Sequence, residues 1–189
     1  MVRVIDNFLH HEVFDLLRDE ALVAEYTDWL GPDGQMYKRI CIIDNPFVKE
    51  QLEKDLNTDI DMLGMAFRLN YKGEEPNQAI HTDVGWGTHA MVLYLNDDPN
   101  YGGTAFWRHI ESGKERLSPH DLMTYVKVRK DWEDSSKWQM VDAVQMKANR
   151  AVIYESELFH SRYPFEAFGS TPEDGRLILV AFFTPKGVV

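Results

Sequence analysis

The sequence predicts a mainly β fold with flanking helices, a sandwich or barrel of strands backed by two or more helices. From Met62 onward, short apolar runs are separated by Gly, Asn, Asp and Pro, which is typical of all-β domains. Before that point, apolar residues recur at the three-and-four spacing of amphipathic helices. With 189 residues, 44% of them hydrophobic, the chain can bury one core, so 1–189 is predicted to be a single domain.

The N-terminal part, about 1–60, is predicted to support the β region with helices. Val2–Ile5 is a short strand candidate, and a first helix is expected over about 9–21. A second helix is expected after Asn45, with an apolar stripe that ends at Leu56. Pro46 suits the first turn of that helix, where the amide that proline lacks would have no partner.

The β region is predicted over about 62–184, with one helix inserted at about 118–133. A hydroxyl cap at Ser118, Pro119 as the first helical residue and Asp121 in the first turn predict where that helix begins. The strand candidates are 65–69, 90–95, 104–107, 138–144, 151–154 and 177–183.

Charge and cysteine content exclude several classes of function. The net charge is −11 and the pI is near 5.0, so the protein repels phosphate backbones, and no nucleic-acid partner is expected. No apolar run approaches about 18 residues and no signal peptide is evident, so neither a membrane span nor secretion is expected, and the predicted location is cytoplasmic. Because Cys41 is the single cysteine, any metal must be bound by nitrogen and oxygen ligands.

One pair of side chains suggests a metal site. His81 and Asp83 lie two apart in an extended segment and therefore face the same side. His160, which follows the strand candidate 151–154, is the best third partner. Two imidazoles and one carboxylate leave three coordination positions open and favour non-haem Fe(II) and oxygen chemistry. The alternative is that the two histidines are unrelated loop residues bonded to the backbone.

A buried arginine is expected close to this cluster. Arg176 opens the apolar run 177–183, so its guanidinium should point into the barrel or its mouth and needs an acceptor there. The acceptor is either a ligand or one of the 31 acidic residues. Trp86 and Trp107 are expected either in the core or along the mouth of a substrate site.

Taken in order, these residues resemble the Fe(II)/2-oxoglutarate-dependent dioxygenase superfamily in its prolyl-4-hydroxylase-like branch. The resemblance covers about 62–184 and extends to the opening strand and helix, about 2–21. It implies a double-stranded β-helix, the cupin-like jelly roll. The matching segments are Tyr71, His81-Thr82-Asp83, 93–97, 101–106, His160 and Arg176.

The resemblance also implies roles for individual residues. His81, Asp83 and His160 would hold Fe(II), and Arg176 would bind the distal carboxylate of 2-oxoglutarate through two parallel hydrogen bonds. Tyr71 would bond the same carboxylate. The 16-residue gap between His160 and Arg176 is longer than is typical, which leaves Arg162 as a competing anchor for the cosubstrate.

The implied reaction uses O2 and hydroxylates a peptidyl residue or a small amino-acid-like metabolite, with release of succinate and CO2. Asp83 as a ligand favours hydroxylation over halogenation, which needs that position for a halide. Two alternatives stay open: a non-catalytic jelly-roll protein that binds a metal or ligand, and a cupin-type metal enzyme without a cosubstrate. The sequence makes no prediction of oligomeric state.

Overall fold

The computed structural model describes residues 1–31, 34–74, 80–96, 102–118 and 120–187. In these residues three α-helices and ten strands follow one another, with a short 3₁₀ helix at Ser135–Lys137. None of the helices in this part of the chain is long and apolar enough to cross a membrane. The elements are β1 Val2–Ile5, α1 His11–Val23, β2 Thr27–Leu30, β3 Met36–Ile42, α2 Pro46–Leu56, β4 Ile60–Asn70, β5 His89–Tyr94, β6 Gly103–His109, α3 Leu122–Asp131, β7 Trp138–Gln145, β8 Ala151–Glu155, β9 His160–Tyr163 and β10 Arg176–Pro185.

The strands form two antiparallel sheets. The larger sheet has seven strands in the order β1-β8-β5-β10-β4-β3-β2, and the smaller has three in the order β7-β6-β9. A buried apolar cluster that includes Val92, Phe106 and Ile178 joins the inner faces of the two sheets. This arrangement confirms the mainly β jelly-roll class with flanking helices.

Strand alternation gives the larger sheet two different faces. On β10 and on β4 from Met65 onward, odd-numbered residues, such as Phe67 and Leu179, pack with Leu17 of α1 and Leu52 of α2 in the main hydrophobic core. Even-numbered residues of the same segments, such as Ile178, face the smaller sheet. The helices therefore cover one face, and the other is left for the space between the sheets.

Two strands in the N-terminal part were not predicted. β2 and β3 pair with each other, and β3 pairs with β4, so the sheet continues past the β region that the sequence indicated. β3 escapes detection because its burial is partial along most of its length. Residues 1–60 thus supply three strands as well as two helices.

The inserted helix begins later than predicted. Asp121 is its N-cap and accepts from the Thr124 amide at 2.9 Å, so Ser118 is not the cap. The Asp121 carboxylate also pairs with Lys114 and accepts from the Thr124 hydroxyl, contacts that a serine cannot match. Pro119 lies outside the described residues.

Candidate metal centre

Backbone pairing brings the three predicted ligands together. His81 and His160 form an isolated antiparallel bridge, in which each amide donates to the other carbonyl at 3.0 and 2.9 Å. The Asp83 amide donates to the carbonyl of Ser156 at 2.8 Å, which ties the segment after His81 to the turn that follows β8. The two histidines therefore project from adjacent backbone positions, with Asp83 beside them.

The donor atoms of the cluster are close enough to share one ion. Asp83 Oδ2 lies 3.2 Å from His160 Nε2, and Asp83 Oδ1 lies 3.8 Å from His81 Nε2. The ligand atoms of all three residues lie within 4.8 Å of one another. Within the described part of the chain this is the single group of three or more such side chains. Two imidazoles and one carboxylate are the donor set of a facial Fe(II) site.

Neighbouring groups orient two of the ligands. His160 Nδ1 lies 3.0 Å from the carbonyl of Leu158, and because a carbonyl can only accept, Nδ1 carries the proton and donates it. That bond directs Nε2 toward Asp83. The Tyr154 hydroxyl donates to Asp83 Oδ2 at 3.3 Å. Such outer contacts are the usual means by which a protein fixes the tautomer and direction of metal ligands.

The histidines keep the buried carboxylate ionised. Burial raises the pKa of Asp83, but His160 and then His81 outweigh it, so the pKa lies below its usual value. Burial alone would lower the pKa of His160. The Asp83 carboxylate has the larger effect, so the pKa of His160 lies above its usual value. Asp83 is therefore a charged ligand, and a metal at this site competes with a proton on His160.

The cluster lines a cavity of about 130 Å³ between the sheets. The side chain of His81 is 28% exposed, whereas those of Asp83 and His160 are 11% and 6% exposed, so the ligands are reached from the His81 side. Aliphatic residues of β5 and β10 form one part of the wall. Polar and aromatic residues complete it, among them Tyr37, Arg68, Asn70, Trp86, Thr104, Tyr154, Ser161, Arg162, Arg176 and Phe182.

Arg176 lies in the cavity wall, where the sequence predicted it. It is buried, its Nη2 donates to the carbonyl of Gly103 at 3.5 Å, and its Nε has no hydrogen-bond partner. Burial lowers the pKa of Arg176 to about 10. Among the described residues no carboxylate forms a salt bridge with it, so the internal ion pair considered above is not found there.

Arg162 lies in the same wall but is already bonded. Its Nε donates to the carbonyl of Phe165 and its Nη2 to the carbonyl of Glu74, both at 2.6 Å. Compared with Arg176, Arg162 therefore has fewer donors left for a ligand.

Tyr71, to which the resemblance gave a contact with the cosubstrate, lies outside the cavity wall. Its ring packs against the main core, under the guanidinium of Arg39 at 4.5 Å, and it is not part of the cavity wall. The reason is strand alternation, because Asn70 pairs with Arg176 and takes the cavity face, which directs the next residue to the opposite side.

Several residues of the cavity were missed by sequence reasoning, among them Arg68, Tyr37 and Tyr154. Arg68 interrupts the apolar run 65–69, and a charge inside a buried strand was a usable signal. Tyr37 lies on the unpredicted strand β3, and no motif marked it. Of the two tryptophans considered for the mouth, Trp86 lines the cavity, and Trp107 packs in a separate buried cluster and donates to Ser161 Oγ.

A jelly roll with a two-histidine, one-carboxylate cluster between its sheets defines a protein with the fold of the iron- and 2-oxoglutarate-dependent oxygenases. The chain belongs to DUF6445, a family of unknown function, whose model matches residues 76–183. The chain has no match among curated proteins.

Solved structures share this fold at low sequence identity, and two of them contain a metal ion and 2-oxoglutarate, also called α-ketoglutarate. The epimerase SnoN, in complex with Fe³⁺, α-ketoglutarate and nogalamycin RO, is 13% identical, with a TM-score of 0.56 over 96% of this chain and 78% of SnoN. HygX from Streptomyces hygroscopicus, with nickel, 2-oxoglutarate and hygromycin B, is 13% identical, with a TM-score of 0.55 over 98% and 82%. AviO1 from Streptomyces viridochromogenes Tue57 is 14% identical, with a TM-score of 0.60 over 98% and 90%.

Proposed function

We propose that this protein is an Fe(II)- and 2-oxoglutarate-dependent dioxygenase that hydroxylates its substrate and releases succinate and CO2. The observation that carries the proposal is one cavity that contains both the His81, Asp83 and His160 cluster and the buried, incompletely bonded guanidinium of Arg176. Membership of the prolyl-4-hydroxylase-like branch is part of the proposal and rests on the sequence resemblance.

The protein's own residues would position the metal. His81, Asp83 and His160 would bind Fe(II) on one face, and the Leu158 carbonyl and Tyr154 hydroxyl would keep two of these ligands in place. When bound together with 2-oxoglutarate, the iron supplies the activation of O2 and the oxidation of a substrate C–H bond, which no side chain can perform.

Arg176 would bind the distal carboxylate of 2-oxoglutarate. A guanidinium offers two parallel N–H donors to a carboxylate, and in this buried position the charge-assisted bonds would be strong. Thr104 lies next to Gly103, whose carbonyl contacts Arg176, and is itself a residue of the cavity wall. We therefore propose Thr104, held by the Tyr94 hydroxyl at 2.7 Å, in the place that the resemblance gave to Tyr71.

The apolar part of the wall would exclude water during the reaction. Ala90, Val92, Ile178 and Val180 face the same cavity as the ligands. A low local dielectric strengthens the ionic contacts of Asp83 and Arg176 and protects reactive species from solvent.

An anaerobic binding experiment tests this function. We expect Fe(II) plus 2-oxoglutarate to produce the weak visible metal-to-ligand band in the wild type and not in Arg176→Met. Arg108→Met, which removes an exposed guanidinium paired with Glu115, is the matched control and should keep the band. Iron binding without a 2-oxoglutarate band would favour the cupin-type enzyme. Absence of both iron binding and the 2-oxoglutarate band would favour the non-catalytic binding protein.

The reaction type needs a second measurement. SnoN is an epimerase, so a shared fold accommodates an outcome other than hydroxylation. We expect substrate-dependent succinate release in a screen of small acids, amino acids and peptides, with a product heavier by one oxygen atom. Succinate release with an unchanged product mass would instead indicate epimerisation.

The partners and location are also proposals. We propose a small-molecule or peptide substrate, no nucleic-acid or membrane partner and a cytoplasmic location. The net charge of −11 supports the absence of polyanionic partners.

A further inference from the structure

A second arginine in the cavity, Arg68, has no assigned role. It lies on β4 opposite Ile178, on the face that lines the cavity. Its Nε is buried without a hydrogen-bond partner, and its guanidinium carbon lies 5.6 Å from the centre of the Tyr37 ring. Among the described residues no carboxylate forms a salt bridge with Arg68. A buried donor of this kind is costly unless something binds it.

Glu74, the acidic residue that most favours the charged form of Arg68, is already bonded elsewhere. Glu74 pairs with Arg39 at 2.8 Å and also accepts from the side chain of Asn70 and the amide of Tyr71, each at 3.2 Å. Arg162, the other arginine of the wall, donates to two carbonyls. Arg68 and Arg176 are therefore the two cavity guanidiniums that keep an unpartnered Nε.

The charge balance of the loaded cavity leaves an excess of positive charge. Arg68, Arg162 and Arg176 carry three positive charges, and Asp83 is the one carboxylate among the described wall residues. A divalent ion and the two carboxylates of 2-oxoglutarate cancel each other. Two positive charges then remain in a partly desolvated space, where a further anion would be strongly favoured.

An aromatic wall adjoins Arg68 and the metal ligands. We use this name for Tyr37, Trp29, Trp86 and Phe182, whose successive ring centres lie 5.9, 5.6 and 5.4 Å apart. The Trp86 amide donates to the carbonyl of Asp83 at 2.9 Å, which holds this ring beside the metal centre. All four rings are partly exposed. Such a wall suits a flat apolar group.

We propose that Arg68 binds a carboxylate of the substrate while the aromatic wall receives a flat apolar body. This inference rests on the proposed function and adds the substrate class, a small organic acid. The cavity of about 130 Å³ can hold compact groups and not a folded chain. Arg68 lies opposite Ile178 and Arg176 lies opposite Asn70, so the two arginines start from different, diagonal positions on adjacent strands.

The test compares an acid with its neutral amide. The probes are 3-phenylpropanoate and 3-phenylpropanamide, titrated calorimetrically without oxygen into protein loaded with Fe(II) and saturating 2-oxoglutarate. We expect the wild type to bind the acid at least about tenfold more tightly than the amide, as a charge-assisted bidentate contact requires. In Arg68→Met the ratio should fall to near one, with the affinity for 2-oxoglutarate changed less than about threefold. Arg68→Lys keeps the positive charge and loses the paired N–H donors of the guanidinium, so the ratio of acid to amide affinity should be intermediate.

Two further variants separate specific binding from general charge. Arg162→Met removes a cavity charge of the same kind and should keep the preference for the acid. Trp86→Ala should weaken the binding of the acid and of the amide by the same factor, because this substitution removes apolar contact only.

Three outcomes would overturn the inference. These are equal binding of acid and amide by the wild type, displacement of 2-oxoglutarate by the acid, and loss of 2-oxoglutarate binding rather than acid binding in Arg68→Met. If the wild type binds no 2-oxoglutarate, the proposed function fails by itself. The same titration on the Fe(II)-loaded protein then still decides whether Arg68 selects the acid.

Discussion

The two faces of the larger sheet are built from the same strands and differ sharply in chemistry. On β4 and β10, residues such as Phe67 and Leu179 face the helices in an entirely apolar core, and their neighbours Arg68 and Ile178 face the cavity. Apolar burial stabilises the first face. The second keeps buried guanidinium, imidazole and carboxylate groups whose desolvation opposes folding. The sheet is therefore a stable layer on one side and a binding surface on the other.

The largest expected effect is a difference in stability between substitutions of two adjacent residues, Phe67 and Arg68. Phe67→Ala removes a fully buried ring from the core and should lower the free energy of unfolding by about 3–5 kcal/mol. Arg68→Met removes a buried charge that has no ionic partner, so the free energy of unfolding should change by less than about 1 kcal/mol or rise. Urea unfolding monitored by circular dichroism measures both. A similar loss in the two variants would contradict the division between the faces.

The next effect concerns stabilisation by the metal. At a free metal concentration one hundred times the dissociation constant, the wild type should gain about 2.7 kcal/mol, because only the folded chain assembles the ligands. Asp83→Ala and His160→Ala should lose this gain in thermal unfolding with Ni²⁺, a redox-stable substitute for Fe(II). His120→Ala, at an exposed position, is the control. Metal stabilisation that survives in Asp83→Ala would remove that residue from the site.

A smaller effect is expected from the hydroxyl that contacts the carboxylate ligand. Tyr154→Phe keeps the buried ring and removes the donor to Asp83 Oδ2. Metal affinity should fall about tenfold, the low end for loss of an outer contact to a ligand. Calorimetric titration with Ni²⁺ measures the change, and Tyr125→Phe, on the inserted helix, is the control. Unchanged affinity would show that Asp83 is held by its neighbours alone.

The smallest expected effect concerns Asp6, which belongs to neither face of the larger sheet. Hydrogen bonds from Arg150 and Lys147 lower the pKa of Asp6 to about 2, so its carboxylate adds stability above its unfolded value near 3.9. That contribution should disappear as the pH falls toward 2. Because the Asp6 side chain is 41% exposed, the contribution should be below about 1 kcal/mol. The difference in unfolding free energy between the wild type and Asp6→Asn, measured from pH 7 to pH 2, should shrink toward zero. A difference in unfolding free energy that stays constant from pH 7 to pH 2 would contradict this role of Asp6.

Much of the fold was predictable because its signals are local. Apolar runs and turn residues identify β5, β8 and β10 in the sequence, and Pro46 after Asn45 marks the start of α2. β2 and β3 were missed because they are only partly buried and lack a clear alternation. The start of α3 was misplaced because Ser118 and Asp121 both resemble caps in the sequence, and the structure shows Asp121 accepting from the Thr124 amide.

The chain's own sequence determined which chemistry is available. The His81 and Asp83 pair, a distant histidine and a buried arginine can be read from spacing and composition, because those features depend only on neighbouring residues. Tertiary structure decided which groups meet and which remain unsatisfied. Strand register turned Tyr71 into the core and Arg68 into the cavity, and one carbonyl remote in the chain, that of Glu74, accepts from Arg162. Such partners are set by non-local pairing, which no local pattern records.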